Sequence, residues 1–166
     1  VGIFMSQTGG GCRASNYVSL LRKALKDLGM EQIPVISINM AGLESNPGFK
    51  FTPAIVKKCL MGVMYGDLFM RVLYATRPYE AEPGSANALY DRWVEKAREN
   101  VISGSYRQYK RNMADIVKAF DELPLLDIKK PKVGVVGEIL VKYHPNANND
   151  VVNIIESEGG EAVVLD

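Results

Sequence analysis

The chain has 166 residues, of which 47% are hydrophobic and 23% are charged, a composition typical of a globular protein and not of a disordered chain. Its formal net charge of +1 gives no general attraction to nucleic acid or to an acidic membrane surface. The apolar stretches are too short to span a bilayer, no secretory signal is visible, and two distant cysteines do not form a disulfide framework. We therefore expect a cytoplasmic protein that binds neither nucleic acid nor a membrane.

The chain opens with the pattern of a β–α–β unit. Residues 1–5 (VGIFM) predict a buried strand, and residues 33–38 (IPVISI) predict a second one. Between them, apolar residues at helical spacing predict a helix over about residues 14–28, which Gly29 is placed to end in a left-handed conformation. Strands joined by a helix in this way lie parallel in one sheet.

Helical patterns fill the middle of the chain. Thr52 and Pro53 have the residue types of an N-cap and a first helical position, and they predict a helix that runs to about residue 74. Two more helices are predicted over residues 85–101 and 106–122. A connection of this size is too long for a simple crossover, so we interpret residues 52–122 as a large helical insertion between strands 2 and 3.

Two strands and a helix complete the predicted fold. Residues 132–136 (KVGVV) and 162–165 predict strands, and Asn148 or Asn149 is placed to cap the helix between them. The sequence thus predicts a three-layer α/β fold with a small parallel sheet of about four strands. Because both termini fall in or beside predicted strands, we interpret residues 1–166 as a single α/β domain excised from a longer polypeptide.

Three polar loops follow predicted strands, at residues 6–13, 39–51 and 137–149. Sites in parallel sheets gather at the carboxyl ends of strands, so we expect these loops to share one crevice. The first loop contains three consecutive glycines before a thiol and a guanidinium. Successive glycine amides at a helix start can cradle an anion, and the same position favours a thiolate. Three alternatives stay open for Gly9, Gly10, Gly11, Cys12 and Arg13: an anion cradle, a loop that presents the thiol, or a tight turn with a half-buried structural cysteine.

Two further residues fall in the third loop. Glu138 follows the third predicted strand, where a carboxylate can act as a ligand or in acid–base chemistry, or can cap a nearby helix. His144, the single histidine, would complete a Cys/His pair if it met Cys12, but a histidine before a proline is more typical of a surface loop.

The remaining candidates have structural alternatives. Cys59 lies among apolar residues at helical spacing and is predicted to be a small core residue. Arg71, Arg77 and Glu80 lie in or near one loop, where guanidinium groups can bind phosphate or carboxylate. The alternative, which we favour, is an internal Arg–Glu pair that fixes this loop.

Four motifs in order carry a family resemblance over nearly the whole chain: QTGGGCRASNYVSLLRKAL, PVISINMAGLESNPGFKFT, RPYE and VGEILVKYHPNANNDVVNIIESEGGE. The chain resembles the large bacterial acyl-CoA dehydratase activases, also described as activators of (R)-2-hydroxyglutaryl-CoA dehydratase. In that family such a segment is similar to a subunit of 2-hydroxyacyl-CoA dehydratase or benzoyl-CoA reductase and follows ATPase-type activase domains. This chain has no nucleotide phosphate loop of its own, so ATP hydrolysis is not expected of it.

The resemblance implies an iron–sulfur cluster held by cysteines from separate domains, with low-potential electron transfer to a CoA thioester. It assigns Cys12 as a metal ligand, with Gly9, Gly10, Gly11, Arg13 and Glu138 around the cofactor. Related subunits tend to have a Gly-Cys pair where this chain has Gly137 and Glu138. Other parts of the polypeptide then supply the missing ligands, or Glu138 substitutes, or the cluster has been lost.

The implied partners are the ATPase-type activase and dehydratase-like domains of the same polypeptide, a CoA thioester and a second copy of the chain. We expect the cluster to be absent from this fragment, which is then inactive alone. The alternative function is an anion- or CoA-binding module, or an interdomain docking module, without redox chemistry of its own.

Overall fold

A computed structural model of the chain describes residues 2–6, 12–39, 42–43 and 52–164. These residues belong to two compact units. The first unit lies within Val1–Lys50 and Gly137–Ala147, and the second lies within Phe51–Val136 and Asn148–Asp166. The chain thus returns to the first unit after the helical middle of the sequence.

The first unit contains the predicted β–α–β opening. Strand β1 (Ile3–Ser6) pairs in parallel with β2 (Val35–Asn39), and Ile3 lies opposite Val35. A short strand that the sequence did not predict, β3 (Gly42–Leu43), pairs antiparallel with the end of β2. The strand order in this sheet is β1-β2-β3.

Helix α1 (Tyr17–Asp27) follows β1 and packs against both β1 and β2. A 3-10 turn (Arg13–Asn16) leads directly into it, and together they confirm the predicted first helix. Val18 and Leu25, seven positions apart on one helix face, are buried against the strands. Gly29 has a φ of +67°, so the predicted left-handed end of this helix is confirmed.

The second unit contains the three helices predicted over residues 52–122. They are α2 (Pro53–Thr76), α3 (Ser85–Ser103) and α4 (Tyr106–Asp121), and α2 packs against both of the others. The Thr52 side chain accepts a hydrogen bond from the Ile55 N–H at 3.2 Å, which confirms the predicted N-cap. No helix in the described ranges is both long enough and apolar enough to cross a membrane.

The core of the second unit lies between these three helices. Ile116 and Phe120 of α4 are almost completely buried, as is Ala86 of α3. Phe69 of α2 contacts Tyr90 edge to face, with ring centroids 5.4 Å apart. Side chains that three helices share in this way contribute most of the apolar burial of the unit.

One buried polar group also links the helices. The Tyr65 hydroxyl of α2 donates a hydrogen bond to Asn100 Oδ1 of α3 at 2.8 Å. Asn100 Nδ2 in turn donates to the backbone oxygen of Ser105, just before α4, at 3.0 Å. Because both ends of the amide are bonded, this polar side chain is accommodated in an apolar core.

A small parallel sheet completes the second unit. Strand β4 (Lys132–Val135) pairs in parallel with β5 (Glu161–Val164). Between them in sequence, the helix we label α6 (Val151–Ser157) packs on both strands. The N-cap position of α6 is Asp150 and not Asn148 or Asn149, so the predicted cap is wrong by one or two residues, although Asn148 Oδ1 accepts a hydrogen bond from the Val151 N–H at 3.3 Å.

The structure confirms a chain of mixed helix and strand with parallel strand pairs, but it does not confirm one parallel sheet of four strands. The described strands form two sheets, one in each unit. A five-residue helix, α5 (Ile139–Tyr143), lies where the sequence predicted only loop. Periodicity identifies each strand and its buried side, whereas the pairing of one β–α–β unit with the next depends on contacts that it does not encode. The three-layer arrangement remains a prediction.

We predict that Ile116→Ala lowers the free energy of unfolding by about 2–5 kcal/mol, because it leaves a cavity among three helices that cannot collapse fully. The neighbouring residue Val117 is 40% exposed. Val117→Ala is the matched control and should change stability by less than about 0.5 kcal/mol. Urea denaturation of both variants checks this, and equal losses would contradict the assignment of the core.

Candidate functional site

A cavity of about 230 Å³ lies in the first unit at the carboxyl end of β1. Met5 and Ser6 line it from that end of the strand, and Tyr17 lines it from the start of α1. The other lining residues come from α5 and the position after it: Ile139, Leu140, Tyr143 and His144. Ser6 of the predicted loop 6–13 and four residues of the predicted loop 137–149 therefore meet at this cavity, whereas Cys12 is not among its lining residues.

A hydrogen bond fixes the wall of the cavity that α5 forms. The hydroxyl of Tyr17, which is buried, accepts a hydrogen bond from the backbone N–H of Leu140 at 3.1 Å. Leu140 lies in the first turn of α5, where backbone N–H groups have no partner within the helix. Tyr17 thus supplies a partner from α1 and holds a very short helix in place.

Cys12 stands at the N-cap position of the 3-10 turn that leads into α1. Its backbone is extended, its carbonyl oxygen accepts a hydrogen bond from the Ser15 N–H at 3.0 Å, and its thiol is exposed. Arg13, the next residue, is exposed too. The partial positive charge of a helix N-terminus favours an anion near such a position. The other predicted residues of this loop, Gly9, Gly10 and Gly11, lie outside the described residues.

Glu138 caps α5, so the structural alternative for this residue is confirmed. Its Oε2 accepts a hydrogen bond from the Val141 N–H at 3.2 Å. Its Oε1 is buried and has no hydrogen-bond partner among the described residues. A buried carboxylate oxygen is stabilised by a donor, so Oε1 retains the capacity to accept one.

His144 follows α5 and has an exposed side chain, as the surface interpretation predicted. Its backbone N–H donates a hydrogen bond to the carbonyl oxygen of Leu140 at 3.0 Å. His144 lines the cavity described above, and Ser6 lines it too. It is therefore placed to contact a molecule bound there.

The described residues do not form a complete metal site. Within that part of the chain, no group of three or more His, Cys, Asp or Glu side chains is close enough together to hold a metal ion. Iron–sulfur clusters are held by several cysteine thiolates, usually four. Cys12 and Cys59 are the free cysteines among the described residues, and they lie in different units, so this part of the chain does not fit a whole cluster.

Arg77, which the sequence offered as a ligand for phosphate or carboxylate, is occupied by an internal ion pair. Its Nε donates to Glu156 Oε2 at 2.7 Å and its Nη2 donates to Glu156 Oε1 at 3.0 Å. The Arg77 and Glu156 side chains are only 17% and 13% exposed. Asn153 accepts a third hydrogen bond at 3.0 Å. The predicted internal Arg–Glu pair is thus confirmed, but the partner of Arg77 is Glu156 and not the nearby Glu80.

The other two charged residues of that prediction are also engaged within the second unit. Glu80 accepts hydrogen bonds from the backbone N–H groups of Gly84 at 2.7 Å and Ala86 at 2.8 Å, and so caps α3. Arg71 pairs with Asp67 on the surface of α2 at 3.2 Å. The predicted ligand-binding loop is therefore a structural connection.

Tyr79 lies between Arg77 and Glu80 in the sequence, and its side chain also forms a hydrogen bond within the second unit. Its hydroxyl donates to Glu161 Oε2 at 2.7 Å, and Lys132 Nζ lies 3.0 Å from Glu161 Oε1. The Glu161 side chain is 7% exposed. The hydrogen bond to this carboxylate raises the pKa of Tyr79, and the hydrogen bond and charge of Glu161 raise the pKa of Lys132. No pattern in the sequence connects these three residues.

Cys59 was predicted to be a core residue, and this prediction is wrong. The thiol is exposed on α2. Its apolar neighbours do follow helical spacing, but the buried side of α2 is the other one, which carries Met61 and Tyr65.

Comparison with known proteins adds no family to this description. No protein-family model, no curated protein and no solved structure matches the chain. The family resemblance therefore rests on the sequence motifs alone.

We predict that the second unit loses stability as the pH rises above about 10, the ordinary pKa of tyrosine and lysine. Tyr79 and Lys132 hold their protons more tightly in the folded chain, where Glu161 raises both pKa values. The unfolded chain therefore releases protons first, and the free energy of unfolding falls from the unfolded pKa up to the folded one.

Glu161→Gln should make this alkaline fall shallower, because the amide raises neither pKa in the same way. Urea denaturation at pH values from about 8 to about 11 measures the slope. The matched control is Glu95→Gln, which removes an exposed surface pair with Arg98 and should leave the slope unchanged. A slope unaffected by Glu161→Gln would contradict the assignment.

Proposed function

We propose that this chain is part of a cytoplasmic iron–sulfur protein in the acyl-CoA dehydratase and reductase system, related to the dehydratase activases. The observation that carries the proposal is the position of Cys12, an exposed thiol at the N-cap of the 3-10 turn that leads into α1. In this proposal Cys12 supplies one thiolate ligand to the cluster.

The electrostatics around Cys12 support this role. The N–H groups at the start of a helix carry partial positive charge, and Arg13 adds a full positive charge one residue away. Both attract an anionic group bound at this position. Because the thiol is exposed, it is open to a group that another part of the polypeptide also binds.

In this proposal the ligands of the cluster come from more than one domain. The described residues offer no group of three donors, and Cys59, the other free cysteine, lies in the second unit, so we propose that other domains supply the remaining ligands. The cluster, when bound, would supply an electron at low potential to a thioester-conjugated substrate. The residues of this chain would hold the thiolate and form one wall of the space around it, with Glu138 Oε1 able to accept a hydrogen bond.

A second candidate function is the binding of a CoA thioester without redox chemistry, and the cavity of the first unit favours it. At about 230 Å³ and with Met5, Ile139 and Leu140 in its lining, it suits a short acyl chain, while the nucleotide part of the coenzyme would extend outside. Ser6 and His144 are polar residues in the lining that would orient the thioester.

We predict that Cys12→Ser removes most of the bound iron and visible absorption from the longer polypeptide purified without oxygen. Serine keeps the size of the side chain but does not supply a thiolate. Cys59→Ser is the matched control, because Cys59 is also exposed but lies in the second unit, and it should retain both signals. A full cluster in the Cys12→Ser protein would remove Cys12 from the site.

For the second candidate, we predict that Leu140→Asp weakens the binding of a short-chain CoA thioester by about tenfold or more, because it places a carboxylate in an apolar cavity. Isothermal calorimetry measures the affinity. Ile154→Asp is the control, since Ile154 is 52% exposed and lies outside the cavity. The absence of binding to the unchanged chain would contradict this candidate function and leave the proposal for Cys12 to its own test.

A further inference from the structure

Helix α2 has one side on which apolar residues are exposed. Val56, Cys59, Leu60, Val63 and Met64 are all exposed, with Val63 at 69% and Leu60 at 61%. Their spacing of i, i+3, i+4, i+7 and i+8 is the pattern by which a helix buries one face against a neighbour. We refer to these five residues as the open face of α2.

The opposite side of the same helix is already buried. Met61, Tyr65, Phe69 and Leu73 point into the core of the second unit. The first two-thirds of α2 thus has apolar residues on two opposite sides, of which only one is buried within the described residues. A contiguous exposed apolar surface of this kind marks an interaction site.

We propose that the open face of α2 packs against the same face of a second copy of this chain, with the two helices antiparallel. The charges beside the face are self-complementary in this arrangement. Lys57 flanks its N-terminal part, and Asp67, which also pairs with Arg71 of its own helix at 3.2 Å, follows its C-terminal end. A twofold axis at the level of Gly62, midway between them, places Lys57 of each copy level with Asp67 of the other.

The rest of the pairing follows from the same axis. Leu60 of one copy lies level with Met64 of the other, and the two Val63 side chains lie near the axis. The net charge of the chain, +1, opposes association of two copies only weakly. A partner of another kind would need charges that match Lys57 and Asp67, whereas a second copy of this chain carries them.

Two glycines beside the open face are consistent with a close neighbour. A Cβ atom added at Gly62 or Gly66 would meet nothing within 4 Å. Glycine inside a helix is less stable than alanine, so packing among the described residues does not explain either glycine. The absence of side chains at these two positions lets a second helix approach closely.

Sedimentation equilibrium of the full chain from about 10 µM to about 1 mM tests the proposal. We expect a reversible dimer, and Val63→Glu should raise its dissociation constant by about tenfold or more, because two carboxylates would be buried at the axis. Ile102→Glu is the matched control, since Ile102 is 64% exposed on α3, and it should leave the constant unchanged. Circular dichroism confirms that both variants are folded. A monomer at every concentration, or a dimer unaffected by Val63→Glu, would overturn the proposal.

A charge exchange tests the antiparallel register. Lys57→Glu alone should weaken the dimer, because the introduced carboxylate then faces Asp67 of the second copy. Adding Asp67→Lys should restore most of the affinity. A double variant no tighter than the single one would overturn this arrangement. The inference is independent of the proposed function, which rests on the first unit.

Discussion

The buried pairing of the Arg77 guanidinium with the Glu156 carboxylate joins parts of the second unit that are 79 residues apart in the chain. Two parallel N–H···O bonds form between a planar donor and a planar acceptor, a geometry that a lysine does not reproduce. Removing either partner would leave a charge with little access to water, so the two residues depend on each other. The three long helices, α6 and the small parallel sheet pack around this contact.

The residues next to Arg77 extend the same junction. Tyr79 bonds to Glu161 at the start of β5, and Glu80 caps α3. All of the side-chain hydrogen bonds of the RPYE motif thus have partners within the second unit. This motif is one of the four on which the family resemblance rests, and architecture is sufficient to explain it. The features that suggest chemistry lie instead in the first unit, where Cys12, Glu138 and the cavity beside Tyr17 are found.

Signals carried by neighbouring residues predicted the structure well. The Thr52 cap and the left-handed Gly29 each depend on a few adjacent positions, and both are confirmed. Helix α5 was missed because five residues give no periodicity. It depends on the Glu138 cap and on a hydrogen bond from Leu140 to Tyr17, 123 residues away.

The other differences between the predicted and the observed structure also arise from contacts between residues that are distant in the chain. Spacing shows that Cys59 belongs to an apolar face, but it does not distinguish a face buried in the chain from one left open. It likewise does not select Glu156 over Glu80 as the partner of Arg77, because that choice is made by tertiary packing. For the candidate site, the sequence predicted that three polar loops share one crevice. Ser6 of the first loop and residues of the third line one cavity, whereas most of the second loop lies outside the described residues. The ligands beyond Cys12 are not encoded in a local pattern.

The most direct test of the proposed function is X-ray absorption at the selenium edge, on the longer polypeptide with selenocysteine in place of Cys12, prepared without oxygen. Selenium replaces the one atom that the proposal bonds to iron and reports its neighbours without interference from other sulfur atoms. The account predicts an iron atom at bonding distance from the selenium. A selenium whose only near neighbour is carbon would contradict it.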